Sequence, residues 1–77
     1  MAKISDVQLK QLVEGAIFVS EQPISTEQLQ ATVLDGLAVS KSRLKETLAE
    51  LTLDYQARGV QLIEVASGYR FQSMDSL

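Results

Sequence analysis

Seventy-seven residues, 45% of them hydrophobic and 22% charged, make one small domain with apolar surface for a single core. With no cysteine and no histidine, the chain has no disulfide framework and no Cys-based zinc centre, and it lacks the commonest general base, metal ligand and near-neutral pH switch. A formal charge of −3 disfavours a large phosphate-backbone footprint, and no stretch approaches the ~20 apolar residues of a membrane span, so a soluble, cytoplasmic protein with no membrane partner is expected.

Ser5 or Asp6 opens the first helix, because either side chain can accept a hydrogen bond from a free N–H of the first turn. Leu9, Leu12, Val13, Ala16 and Ile17 then recur at the spacing of one helix face, which predicts a helix over about 6–19. Pro23 breaks it. Ser25-Thr-Glu-Gln28 has the spacing of a capping box, and a second helix over about 26–34 would bury Leu29, Val33 and Leu34, with Gly36 as a left-handed cap. Ser40 caps a third helix expected from Lys41 to Arg58, with Leu44, Leu48, Leu51 and Tyr55 on its core face and Gly59 as its stop.

After Gly59 the spacing changes from 3.6 to 2. The run Val60-Gln-Leu-Ile-Glu-Val65 and the run Tyr69-Arg-Phe71 flank Ala66-Ser67-Gly68 and read as a hairpin. A two-residue turn at Ser67-Gly68 would set Ala66 against Tyr69. A three-residue loop with Gly68 at positive φ pairs Val65 with Tyr69, Ile63 with Phe71 and Glu64 with Arg70, so it sorts the large apolar residues onto one face. The three-residue loop is the expected register. It leaves Val60 and Leu62 on the outer face and neutralises Arg70 within the hairpin.

Three helices followed by a C-terminal β-hairpin wing are the order of an α+β winged helix, with Pro23-Ile24 available as a short third strand. The domain is expected over residues 1–72. Residues 73–77 read as a frayed end or the start of a linker.

Catalytic chemistry has little to work with. Glu46, Glu50 and Asp54 lie four apart on the third helix but opposite its leucine stripe, which reads as a solvated ridge rather than a metal cage. The serines at positions 20, 25, 40 and 67 sit at turns or caps, where local backbone bonding is their ordinary use. No catalytic residue, cofactor or metal site is expected. The third helix would be the one to enter a major groove, and its first turns carry Lys41, Arg43 and Lys45. Residues 41–58 nevertheless hold four positive and three negative charges, too balanced for a basic stripe.

Apolar residues outside the core stripe say more. Ala49, Leu53 and Ala57 form a second line on the third helix, and Val60 and Leu62 fall on the outer strand face. Two readings stand. Clustered exposed apolar residues mark a protein interface, with Leu53, Val60 and Leu62 as its dimer or partner contacts. Alternatively a strand residue tucks under a helix end and the alanines serve only helix formation.

Glu14-Gly-Ala-Ile-Phe-Val-Ser-Glu-Gln-Pro-Ile-Ser25 resembles the opening signature of the segregation and condensation protein B family, and Gly59-Val-Gln-Leu-Ile-Glu-Val-Ala-Ser-Gly-Tyr-Arg-Phe71 resembles its second. Ser67 stands where that family often has a further glycine. The resemblance, from about Leu9 to Phe71, implies a non-enzymatic subunit with two winged helices, of which this chain matches the first. It further implies a homodimer that embraces a kleisin subunit and, through it, a structural-maintenance-of-chromosomes ATPase, in bacterial chromosome condensation and segregation. The residues alone leave one alternative open, the DNA-binding winged helix of a transcriptional regulator.

Overall fold

A computed structural model describes residues 3–73 and contains α1 (Asp6–Val19), α2 (Thr26–Ala31), α3 (Lys41–Asp54), β1 (Val60–Val65) and β2 (Gly68–Ser73). The winged-helix order expected from the sequence is the order observed. β2 extends one residue into the segment read as a frayed end, and the rest of that segment, 74–77, lies outside the described residues.

All three helix starts are set by a serine. Ser5 Oγ accepts the Gln8 N–H at 3.1 Å while Gln8 Oε1 accepts the Ser5 N–H at 3.3 Å, a full capping box. Ser25 and Gln28 repeat it at 3.0 and 2.8 Å. Ser40 Oγ accepts the Arg43 N–H at 3.1 Å.

Two helix ends differ from expectation. α2 stops at Ala31 because Thr32, the start of a β-branched pair, leaves helical geometry at φ −116°, ψ −90°. The Thr32 hydroxyl donates to the Gln28 carbonyl at 2.6 Å, and Leu34 N–H reaches back to Leu29 O at 3.0 Å. This wider turn carries Leu34 into the core and leaves Val33 half-buried. Gly36 takes φ +80° as expected for a left-handed residue, but inside this turn rather than as the helix cap. α3 ends at Asp54, and residues 55–58 finish it as tight turns through Gln56 N–H to Leu53 O and Arg58 N–H to Tyr55 O. Gly59 is not at positive φ, so the expected glycine stop is absent.

The core is Leu9, Val13 and Ile17 from α1, Leu29, Leu34 and Val39, the stripe Leu44, Leu48 and Leu51 from α3, and Leu62 from β1. Tyr55, Tyr69 and Phe71 pack against it. Leu12, expected inside with its helix mates, is exposed.

The hairpin register also differs. Val65 pairs with Gly68 across a two-residue turn of Ala66 and Ser67, so Glu64 faces Tyr69, Ile63 faces Arg70 and Leu62 faces Phe71. Gly68 does take positive φ, at +144°, but as the first residue of β2. Its cause lies elsewhere in the chain. Ile24 and Tyr69 form an isolated antiparallel bridge, the short third strand expected at Pro23-Ile24. A Cβ on Gly68 would collide with the Ile24 carbonyl group and come within 2.6 Å of the Ser25 nitrogen. Only glycine lets β2 pass that close. The resulting register turns Leu62 inward beside Phe71 and leaves Ile63 and Val65 half-buried on the other face.

Candidate protein-interaction site

Two of the three basic residues at the start of α3 are engaged within the molecule. Lys41 Nζ meets Glu27 Oε2 at 2.7 Å. That bond first, then hydrogen bonds from the residue's own backbone and from the Thr26 hydroxyl, pushes the Glu27 carboxyl down to about 2. Arg43 Nη2 bonds Asp6 Oδ1 at 2.8 Å and donates to the Ile4 carbonyl at 2.7 Å, fastening the N-terminal arm to α3. The helix that would enter a groove therefore spends these charges on its own scaffold.

The acidic residues of α3 are exposed, as their position predicts, but they are not left wholly to solvent. Lys10 Nζ lies 2.6 Å from Asp54 Oδ2 and 3.6 Å from Glu50 Oε1, and the Asp54 bond chiefly holds the ammonium above its ordinary value. Glu14 accepts a short hydrogen bond from the Tyr55 hydroxyl, which raises the Tyr55 phenol. Asp6, Lys10 and Glu14, spaced four apart, thus all turn toward α3. A line of polar contacts clamps the two helices along one flank.

On the wing the expected Glu64–Arg70 pair does not form. Arg70 lies across from Ile63 and donates to Gln72 Oε1 at 3.0 Å. Glu64 sits opposite Tyr69, whose phenol is raised by burial and then by the Glu64 charge.

The three apolar candidates separate by depth. Leu53 is 64% exposed and Val60 36%, whereas Leu62 is 3% exposed and belongs to the core, contrary to its expected outer placement. The cause is the one-residue difference in register, which reverses every side chain of β1. Leu53 and Leu62 still meet at one place. They line a groove of about 470 Å³ between α3 and the wing, together with Lys45, Ala49, Thr52, Glu64 and Tyr69. Leu53 stands exposed at this groove while Leu62 is covered by the core; Ala57 is exposed outside its lining.

An aromatic cluster closes the far end of the wing. The Phe71 ring lies 4.9 Å from Tyr55 and 5.9 Å, edge-on, from Phe18, and the Arg58 guanidinium covers Tyr55 at 4.9 Å. Phe18 remains 69% exposed and its neighbour Val19 78%. Neither residue was singled out by apolar periodicity. The charges at 6, 10 and 14 carried the usable signal, since a helix with all its charges on one line has an uncharged opposite flank. No helix among the described residues is long and apolar enough to cross a membrane.

Comparison with known proteins places this geometry. A segregation and condensation protein B homolog from Coxiella burnetii is 46% identical over 70 residues, covering 91% of this chain and 34% of that protein. The chain therefore spans about a third of that relative's length. Among solved structures, a conserved hypothetical protein from Chlorobium tepidum is 32% identical with a TM-score of 0.74, over 92% of this chain and 44% of its own. A dimer of the ScpB N-terminal domain complexed with an ScpA peptide is 26% identical with a TM-score of 0.72, over 87% and 79%. ScpB from Mycobacterium tuberculosis, 19% identical, shares the fold with a TM-score of 0.82, over 97% and 46%. The model of the segregation and condensation complex subunit ScpB matches residues 11–77. With that match over most of its length, the chain belongs to the ScpB family.

Proposed function

We propose that this domain is a non-enzymatic dimerisation and scaffold module of a kleisin-associated subunit. In this reading it serves a bacterial condensin-like, structural-maintenance-of-chromosomes complex in chromosome condensation and segregation, in the cytoplasm at the nucleoid. Family membership and the solved relative that pairs a dimer with an ScpA peptide support the reading. The observation that carries it is the groove between α3 and the wing, where exposed Leu53 and half-buried Tyr69 offer an apolar seat to a peptide segment. Leu53 is the partner contact, with Val60 exposed beyond the groove lining and Leu62 supporting it from within the core. Direct DNA contact is slight, because Lys41 and Arg43 are bonded to Glu27 and Asp6.

Titration of a fluorescent peptide from the central segment of the cognate kleisin onto this chain tests the proposal. Saturable binding weakened roughly tenfold or more by Leu53→Glu is expected, since an exposed contact residue should matter to binding without disturbing the core. Absence of binding, or unchanged affinity in Leu53→Glu, overturns the groove assignment.

A further inference from the structure

Lys41 and Arg43 are held by Glu27 and Asp6, but Lys45 has no ion pair among the described residues. Lys45 is exposed and lines the groove between α3 and the wing, about one turn before Ala49 and two before Leu53. It also lines a second cavity of about 190 Å³ with Ser67 and Gly68, so it marks the end of the groove nearest the wing tip. Glu64 is the other charged residue of the groove lining, and its carboxylate already acts on the Tyr69 phenol across the hairpin.

The backbone of Glu64 is equally uncommitted. Tyr69 exchanges both of its backbone bonds with Ile24, so its N–H and C=O point out of the hairpin. In an antiparallel ladder two residues directly opposite each other turn these groups the same way, both inward or both outward. Glu64, opposite Tyr69, therefore turns its N–H and C=O outward along the edge of β1 that no strand covers among the described residues. Leu62 follows by alternation, but it is 3% exposed. The edge is open at Glu64 and closed at Leu62.

We propose that the groove takes an extended peptide through a single β-bridge to Glu64, with an apolar residue at the bridge and an acidic residue two positions away. The proposal rests on the reading of the groove as a peptide seat and names the chemistry of the peptide. A residue bridged directly to Glu64 places its side chain on the sheet face that Glu64 shares with Leu62 and Tyr69, which is the face lining the groove. That side chain enters against Leu53 and is apolar, since an acid there would stand beside the Glu64 carboxylate. Two residues on, the peptide returns to the same face roughly 7 Å away. Towards the wing tip, that position meets Lys45, and a carboxylate is the partner an unpaired ammonium selects. The cover over Leu62 stops the added chain from pairing further, so one bridge and two side chains carry the recognition.

A fluorescent peptide from the central segment of the cognate kleisin, titrated onto the full 77-residue chain, tests this chemistry. Lys45→Glu changes one exposed side chain outside the core, which its thermal midpoint verifies, and should weaken binding roughly fivefold or more. Lysine in place of one acidic residue of the peptide should recover the affinity lost in that variant. N-methylation of the peptide two positions from that acid removes the bridging donor and should weaken binding to wild type roughly fivefold or more. Absence of binding to wild type overturns the peptide-seat reading itself. Binding that Lys45→Glu leaves unchanged, that no charge-swapped peptide recovers, or that tolerates N-methylation at every position overturns the bridge and its acid alone.

Discussion

Ile24 and Tyr69 exchange both of their backbone hydrogen bonds, Ile24 N–H to Tyr69 O at 3.0 Å and Tyr69 N–H to Ile24 O at 2.8 Å. This bridge ties the α1–α2 connection to the wing, and Gly68 beside it has no room for a side chain. Gly68→Ala is therefore expected to destabilise the domain by about 2–3 kcal/mol, through both the collision and the positive φ. Urea unfolding measures it. An unchanged midpoint would mean that β2 passes Ile24 at a greater distance.

Stability should fall at alkaline pH. The Tyr55 phenol is raised above its ordinary 10.0 by its hydrogen bond to Glu14, and Lys10 is raised above 10.5 by Asp54. A raised value in the fold contributes stability that is whole below the unfolded value and lost as pH climbs through the folded one. Tyr55→Phe should cost about 1 kcal/mol near neutrality and flatten the decline above pH 10. Thermal midpoints at neutral and alkaline pH check both arms.

Glu27 acts at the opposite end of the scale. Its carboxyl is lowered from 4.5 to about 2, first by Lys41, so its contribution is whole above pH 4.5 and lost as pH falls through about 2. The stability advantage of wild type over Glu27→Gln should shrink across that window. A difference that stays constant down to the acid limit would show that the charge of Glu27 is not what matters.

Duplex DNA should bind no more tightly than the roughly 10⁻⁴–10⁻⁶ M of non-specific association at physiological salt. Lys41 and Arg43 are bonded to acids of the same chain, and Glu46 and Glu50 stand exposed further along α3. A gel shift in that salt measures it, and a sub-micromolar complex would contradict the assignment of these charges to the scaffold.

The helix starts were legible because each depends on a serine and the residue three positions later. The end of α1 at Val19, ahead of Pro23, was legible too, but the ends of α2 and α3 were not. Those two depend also on where Leu34 and Tyr55 find tertiary partners, which the helical period does not show. Hairpin register failed for the same reason. Side-chain sorting within β1 and β2 favoured Ile63 and Val65 inside, but the approach of Ile24 to Gly68 decided otherwise and took Leu62 into the core. The exposure of Leu53 was legible from helical period alone, since nothing distant alters which side of α3 it occupies.

The bond from Arg43 to the Ile4 carbonyl joins positions 39 residues apart, and the Tyr55 bond to Glu14 spans 41. The helices and the hairpin, by contrast, form from near neighbours. These long closures become favourable only after α1 and α3 have already met, because each must first overcome the entropy of the loop it closes. The N-terminal arm is thus expected to seat at the close of folding and to be released early in unfolding. Its attachment reports in time, as well as in space, that the two long helices are packed.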